Sequence, residues 1–135
     1  MKKIFVLLLL VTSSLVSLAE TVEEGIALHP NANFYYCKEK IYGEDVIPPM
    51  SPIERIAWDK FDVYIKFYNQ DDEIKTRLNG SIKEYGDWRI FPMVIGEFRL
   101  NIEDEKLKYY GASGKLLEIF DLDINKSADA LMLKE

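Results

Sequence analysis

Six basic and aromatic side chains recur at matched positions along the chain, and they are the residues best suited to bind a ligand. They belong to three tetrapeptides of the order apolar, basic, apolar, aromatic: Ile65-Lys66-Phe67-Tyr68, Trp88-Arg89-Ile90-Phe91 and Leu107-Lys108-Tyr109-Tyr110. Alternate residues of a strand point to opposite faces, so the second and fourth residues of each tetrapeptide share a face. Cations beside aromatic rings bind sugars, anionic polymers or the carboxylates of a partner, unless they pair with acidic residues on neighbouring strands. The predicted binding residues are Lys66, Tyr68, Arg89, Phe91, Lys108 and Tyr110.

The elements that carry these tetrapeptides are predicted to be short antiparallel strands. From Phe61 to Tyr68 apolar and polar residues alternate, which is the period of a half-buried strand. Asn79-Gly80 predicts a type I′ hairpin, because both residues tolerate a positive φ, and Gly86-Asp87 predicts the next turn. The connections are too short for parallel crossovers. The sequence therefore predicts a mainly β fold, an antiparallel meander of hairpins that forms either an open stack or a small barrel.

Helical segments are predicted outside this meander. Thr21 and Glu24 form a capping-box pattern that starts a short helix. A second S-x-x-E pattern, with a proline after the serine, predicts one or two helical turns within residues 51–60. Residues 33–42 between them are predicted to form a strand. The first two of these segments give the predicted fold a short helical N-terminal region. The last segment, residues 125–135, is predicted to form a short helix or a frayed tail.

The three hairpins resemble MORN-variant repeats, found in bacterial proteins that are often described as antitoxin-like. The matching features are Gly86-Asp87-Trp88 with Phe91 and Gly96, Tyr109-Tyr110 with Gly114-Lys115-Leu116, and Phe67-Tyr68 with Asp72-Glu73-Ile74. The tetrapeptides follow one another at intervals of roughly 20 residues, which fits one hairpin per unit. The resemblance covers residues 61–121 and implies repeated hairpins.

The N-terminus has the three parts of a secretory signal peptide. Two lysines follow the initiating methionine, an apolar run occupies residues 4–11, and Ser17 and Ala19 supply the small residues of a cleavage site. The apolar run is too short to span a bilayer, and no later stretch is long enough to do so. We therefore expect cleavage after Ala19, which separates a signal peptide, residues 1–19, from a single β-rich domain, residues 20–135. The compact signal is typical of bacteria and predicts a periplasmic or secreted protein.

The composition limits the classes of partner. The formal net charge is −6, from 17 basic and 23 acidic residues, and an acidic surface repels nucleic acids and anionic membranes. Cys37 is the only cysteine, so an internal disulfide is excluded, and its apolar neighbours predict a small buried side chain. His29 is the only histidine, and it is predicted to lie in a surface loop.

No motif for catalysis, a metal or a cofactor is present. The chain has no H-E-x-x-H, C-x-x-C, G-x-S-x-G or phosphate-binding glycine loop. Oxygen-bearing residues alternate from Asp121 to Asp129 as at the start of a calcium-binding EF-hand loop. However, Lys126 replaces the loop glycine and Met132 replaces the bidentate glutamate. We therefore predict no metal site here, and a capping Asp or Asn at the end of a strand.

These observations predict an exported, non-enzymatic binding module of the bacterial cell envelope that recognises a protein or an envelope polymer through a sheet face. The first alternative is a small β-barrel that holds an apolar ligand, with Phe61, Trp88, Phe98 and Phe120 lining its cavity. The second alternative is a hydrolase that uses paired carboxylates in a cleft, one of them with a perturbed pKa.

Overall fold

The computed structural model describes residues 19–48, 50–68 and 70–134. The first sheet contains β1 (Asn33–Tyr36), β2 (Ile53–Trp58), β3 (Asp62–Phe67) and β4 (Glu73–Arg77). The second sheet contains β5 (Lys83–Tyr85), β6 (Trp88–Pro92), β7 (Glu97–Asn101), β8 (Lys106–Tyr110) and β9 (Leu116–Asp121). Helix α1 (Val22–Leu28) precedes the strands, and helix α2 (Ile124–Lys134) follows them.

The strands form an antiparallel meander, as the sequence predicts. Within each sheet every strand pairs with its neighbour in the chain, and all these pairs are antiparallel. The strands make two sheets rather than one closed barrel. The sheets meet at two isolated bridges, Cys37 with Leu122 and Leu78 with Met93.

The division between the sheets falls at the Asn79-Gly80 turn, where the predicted type I′ hairpin is wrong. Strands β4 and β5 on either side of it belong to different sheets. Gly80 has a φ of +114°, but Asn79 does not adopt the positive φ that a type I′ turn requires. The Asn79 N–H instead donates to the Pro92 carbonyl at 2.7 Å. The turn therefore takes the chain from one sheet to the other.

The predicted helix within residues 51–60 is also wrong, because this segment contains β2. All six residues of the strand are buried, with Ile53, Ile56 and Trp58 facing the other sheet. Burial on both faces is typical of a central strand that is covered on two sides. The S-x-x-E pattern is a local preference of a few tenths to about 2 kcal/mol, and the burial of this segment outweighs it.

The helix predicted at Thr21 is confirmed, and of the two alternatives predicted for the C-terminal segment the structure contains the helix. The Thr21 hydroxyl accepts from the Glu24 N–H, and the Glu24 carboxylate accepts from the Thr21 N–H, both at 3.1 Å. Helix α2 begins after Asp123, whose carboxylate accepts from the Lys126 N–H at 3.1 Å. Within the described residues, no group of three His, Cys, Asp or Glu side chains could hold a metal ion.

The elements form three layers with two apolar clusters. The main core lies between the sheets and contains Ile53, Ile56, Trp58, Val63, Ile65, Phe67, Phe91, Met93, Phe98, Leu100, Leu107, Phe120 and Leu122. Helices α1 and α2 cover the other side of the first sheet. There Val22 and Ala130 of the helices pack with Phe34, Tyr36 and Ala57 of the strands. Cys37 is buried in the main core, as predicted, and burial raises the pKa of its thiol. In the part of the chain that the structure describes, neither helix is long and apolar enough to span a bilayer.

Candidate functional site

The six predicted binding residues do not share one face, so the predicted ladder is wrong as an arrangement. Arg89 lies opposite Leu100, which lies opposite Leu107, so Arg89 is on the inner side of the second sheet. Phe91 is on the same side and is 0% exposed in the core. Lys108 lies opposite Arg99 and therefore points outward. Directly paired residues share a face, so the register alone separates these side chains.

Two of the six residues belong to the first sheet and its end. Lys66 is buried, and its ammonium lies 2.7 Å from a carboxylate oxygen of Glu54. Tyr68 is half-buried and donates its hydroxyl hydrogen to the Cys37 carbonyl at 2.6 Å. Both polar ends are thus held by partners within the protein.

Arg89 and Phe91 were predicted on the wrong face because β6 has the opposite phase, that is, its inward and outward side chains are the reverse of those predicted. In this strand Trp88 and Ile90 point outward, whereas the corresponding residues of the other two tetrapeptides point inward. Because apolar residues occupy both faces of this strand, the alternating pattern does not show which set of side chains points inward. A shift of one residue moves every side chain of a strand to the opposite face.

A basic and aromatic surface nevertheless exists on the outward side of the second sheet. One cross-strand row runs from Lys83 on β5 through Ile90 and Arg99 to Lys108 and then Ile119 on β9. The adjacent row begins with the pair Tyr85 and Trp88. We define the outer binding face as Lys83, Tyr85, Trp88, Arg99, Lys108 and Tyr110. Only Lys108 and Tyr110 belong also to the set predicted from the sequence.

Cations and rings touch one another on the outer binding face. The Arg99 guanidinium lies 4.1 Å from the centre of the Tyr110 ring, and the Lys108 ammonium lies 5.8 Å from the centre of the Trp88 ring. Arg99 also forms an ion pair with Glu97, and the hydrogen bond of this pair raises the pKa of the guanidinium. Such cation–π contacts hold the rings and the cations of the face in fixed positions relative to one another.

The outer binding face remains open because no helix packs on it in the described residues. The helices make their main contacts with the first sheet and with each other. Tyr85 and Lys83 are exposed, and Trp88, Arg99, Lys108 and Tyr110 are half-buried. The face can therefore present charge and ring surface together to a ligand.

Counting residues from the turns could have identified the missed members of this face. The two-residue turn Gly86-Asp87 places Tyr85 directly opposite Trp88. The four-residue connection after Pro92 places Glu97 opposite it, and therefore Arg99 opposite Ile90. The tetrapeptide pattern concealed this register, because it compares strands that are not neighbours in the sheet.

The four residues predicted to line an apolar cavity do not meet in one. Phe98 and Phe120 pack in the core, Phe61 is 61% exposed, and Trp88 lies on the outer binding face. An open groove of about 370 Å³ occurs elsewhere, between α2 and the edges of both sheets. Its lining includes Tyr35, Trp58, Arg89 and Leu131.

A buried charge cluster lies under the helices on the first sheet. The fully buried Arg55 guanidinium donates to the Glu20 carboxylate at 2.7 and 3.0 Å and lies 2.8 Å from Glu73. The Tyr36 hydroxyl also donates to the Glu20 carboxylate, at 2.9 Å. Glu20 and Arg55 thus have their charged groups satisfied inside the protein.

His29 belongs to this cluster, contrary to its prediction as a surface loop residue. Its side chain is 12% exposed, with Nε2 at 2.7 Å from Glu73 and the ring 4.1 Å from that of Tyr64, centre to centre. Burial raises the pKa of Glu73, but hydrogen bonds from His29 and Arg55 outweigh burial and hold that pKa below its usual value. The shift keeps the carboxylate ionised, which is the opposite of what a catalytic acid needs.

The outer binding face and the buried charge cluster differ in how far their polar groups are already paired within the protein. The groups of the cluster pair with one another, whereas the outer binding face presents its groups to solvent. Comparison of the chain with protein-family models, with curated proteins and with solved structures found no match.

Proposed function

We propose that this protein is an exported, non-enzymatic binding module of the bacterial cell envelope, and that it holds an anionic, sugar-containing polymer on the outer binding face. The observation that carries the proposal is the row of Lys83, Arg99 and Lys108 across neighbouring strands, with aromatic rings beside it. Strands lie about 4.8 Å apart, so the row extends over about 14 Å from β5 to β8. A flat strip of this kind matches an extended polymer.

The charge distribution supports an anionic ligand at this place. The whole chain has a net charge of −6, yet this face collects cations. Glu97 and Asp121 pair with Arg99 and Lys106 respectively, so Lys83 and Lys108 are the cations most able to meet a new partner. Their attraction to a ligand acts at the surface and weakens as salt increases.

The aromatic residues supply the second half of the recognition. Tyr85 is exposed beside Trp88, and Tyr110 stacks against Arg99 at the other end of the face. Ring faces pack against the apolar faces of sugars and add attraction that salt does not screen. A ligand with both acidic groups and sugar rings uses both kinds of side chain.

The sequence supports an envelope location and an interaction role. The signal-peptide pattern supports export, although it falls on residues 1–18, which lie outside the described part, and on Ala19. The resemblance to MORN-variant repeats remains part of the proposal. In support, the three tetrapeptides lie at the first strands of three hairpins, β3–β4, β6–β7 and β8–β9.

A matched pair of triple variants tests the proposal. Lys83/Arg99/Lys108→Ala removes three positive charges from the outer binding face, and Lys38/Lys60/Lys115→Ala removes three exposed charges elsewhere. We expect the first variant to lose at least about tenfold in binding to purified envelope polymer, measured by co-sedimentation, and the control to bind like the wild type. Equal binding by both variants contradicts the proposal.

The same assay separates a polymer from a protein partner. The envelope fraction is treated either with a protease or with an enzyme that cleaves glycans before the binding measurement. Loss of binding only after glycan cleavage supports the polymer. Loss only after protease treatment overturns the polymer and indicates a protein that uses the same face.

The groove beside α2 supports a second candidate function, the binding of a small apolar ligand. Tyr35 and Trp58 stack there with ring centres 5.8 Å apart and planes 6° apart, and the groove has a volume of about 370 Å³. This volume is within the range of small-molecule sites. A thermal-shift screen of apolar compounds tests it, with Leu131→Asp as the variant that should abolish any hit.

A further inference from the structure

The residue that follows the predicted cleavage position is held by the fold through every one of its polar groups. Glu20 is 4% exposed, and its carboxylate binds Arg55 and Tyr36. Its carbonyl accepts from the Lys126 ammonium at 2.6 Å. Its backbone nitrogen donates to the Glu54 carboxylate at 2.5 Å. The residue before it, Ala19, is exposed.

Glu54 is a buried carboxylate, and each of its two oxygens has a donor. It is 1% exposed, and one of its oxygens binds the Lys66 ammonium at 2.7 Å. The other oxygen accepts from the Glu20 nitrogen. A buried carboxylate is strongly stabilised by charged donors on both oxygens, because hydrogen bonds to charged groups are about twice as strong as neutral ones.

We propose that this arrangement is a binding pocket for the protein's own mature N-terminus, created when a leader is removed after Ala19. The inference rests on the export proposed above. In the uncut chain the Glu20 nitrogen is a neutral amide. After cleavage it is an α-ammonium group, and its contact with Glu54 becomes an ion pair.

The chemical step is the hydrolysis of one peptide bond by a signal peptidase of the exporting cell. Water adds across the Ala19–Glu20 bond, the Ala19 carbonyl becomes a carboxylate, and the Glu20 nitrogen leaves as an amine that takes up a proton. The exposed position of Ala19 places the cut at the mouth of the pocket.

Processing would thus change the stability of the folded protein without changing its fold. Residues 20–135 contain every helix and strand that the structure describes. The elements around the new terminus bring both signs of charge: Glu54 and Arg55 from β2, Lys66 from β3 and Lys126 from α2. Cleavage changes the Glu20 nitrogen, which donates to Glu54, from a neutral donor into a charged donor.

Thermal unfolding of chemically matched chains tests the pocket. The chain 20–135 is compared with the same chain acetylated at its α-amino group, and with a chain that begins at Ala19. We expect both altered chains to melt about 3–5 °C below the free-amine chain, since each replaces the buried ammonium by an amide. Equal melting temperatures for all three chains overturn the proposal.

The variant Glu54→Gln assigns the effect to the carboxylate. In this background we expect acetylation to change the melting temperature by less than about 1 °C. A difference that persists in Glu54→Gln shows that the ammonium acts elsewhere, which contradicts the pocket. If this variant does not fold, the comparison of acetylated and extended wild-type chains still decides the question.

Mass spectrometry of the protein from exporting cells tests the processing separately. We expect a chain that begins at Glu20. An uncut chain contradicts the processing, and a chain that begins at another residue leaves the pocket without the terminus proposed for it, so either result overturns the proposal. The thermal comparison uses purified chains, so failure of the pocket and failure of export give different results.

Discussion

The outward surfaces of the two sheets carry similar residue types in opposite settings. On the first sheet, the cations Arg55 and Lys66 are buried and pair with buried acids. On the second sheet, Arg99 and Lys108 stay half-exposed beside aromatic rings. The same alternation of basic and apolar residues thus yields a buried network in one place and an open face in the other.

The difference between these surfaces is the cover that the helices provide. Helices α1 and α2 pack on the first sheet through Val22 and Ala130, and the main helix contacts in the described residues are with this sheet and between the helices. A buried cation must be paired, because an unpaired charge in the interior costs several kcal/mol. An exposed cation needs no partner and is free to meet a ligand. Exposure, more than residue type, therefore distinguishes a structural from a candidate binding surface.

The largest expected effect is on the buried side of this comparison. Arg55→Ala leaves Glu20 and Glu73 without their main cation, so we expect the free energy of unfolding to fall by about 4 kcal/mol. Arg99→Ala, on the outer binding face, should change it by less than about 1 kcal/mol. Urea unfolding of both variants makes the comparison. Similar losses in the free energy of unfolding for Arg55→Ala and Arg99→Ala would contradict the distinction between a buried, structural surface and an open one.

The phase of β6 predicts the next effect in size. Phe91→Ala removes a ring from the core, and we expect a loss of about 3 kcal/mol in the free energy of unfolding. Trp88→Ala removes a larger ring from the outer binding face and should cost clearly less. Denaturant midpoints for the two variants decide the phase, and a greater loss from Trp88→Ala means that the strand is turned the other way.

The pH dependence of stability is expected to differ between the two surfaces. The folded pKa of Glu73 lies below its unfolded value, so its contribution is complete above about pH 4.3 and is lost as the pH falls through the folded pKa. Glu73→Gln should therefore make the loss of stability between pH 7 and pH 3 smaller. The hydrogen bond from Lys106 also lowers the pKa of Asp121, but this residue is exposed and solvent screens the pair.

The matched variant Asp121→Asn is the control for that measurement. We expect its stability to follow pH almost as the wild type does, in urea unfolding at pH 7 and pH 3. A larger change from Asp121→Asn than from Glu73→Gln would show that burial does not decide which carboxylate matters.

The smallest effect on stability is expected at the exposed ring. Tyr85→Ala should change the free energy of unfolding by less than about 0.5 kcal/mol, because the side chain is mostly in solvent. The same variant should weaken polymer binding several-fold if the ring stacks on a ligand. Calorimetric melting and the co-sedimentation assay together separate the two roles. A variant that is clearly destabilised but binds the polymer normally would contradict both expectations.

The candidate site was only partly predictable from the sequence. Lys108 and Tyr110 were identified correctly as outward-facing, because β8 follows the simple alternation. Lys83, Tyr85 and Arg99 were missed, because the pattern search did not use the hairpin register that places them on the same face. Lys66 was assigned to a surface, and nothing in its local sequence reveals that it is buried beside Glu54.

The sequence by itself determined part of the local structure of this protein. The alternation after Phe61, the turn at Gly86-Asp87 and the capping box of Thr21 predict strands, a hairpin and a helix that the structure contains. These features depend on neighbours within a few residues, where backbone preferences and short hydrogen bonds act. They are also enough to identify the fold class as an antiparallel meander.

Only the tertiary structure decided where the meander divides and which faces are covered. Residues 53–58 form a strand instead of the predicted helix because both their faces are buried, and Asn79-Gly80 crosses between sheets because β4 and β5 find different partners. The phase of β6 depends likewise on the sheet that packs against it. Burial depends on contacts between residues distant in the chain, and an alternating pattern is compatible with either face until those contacts select one.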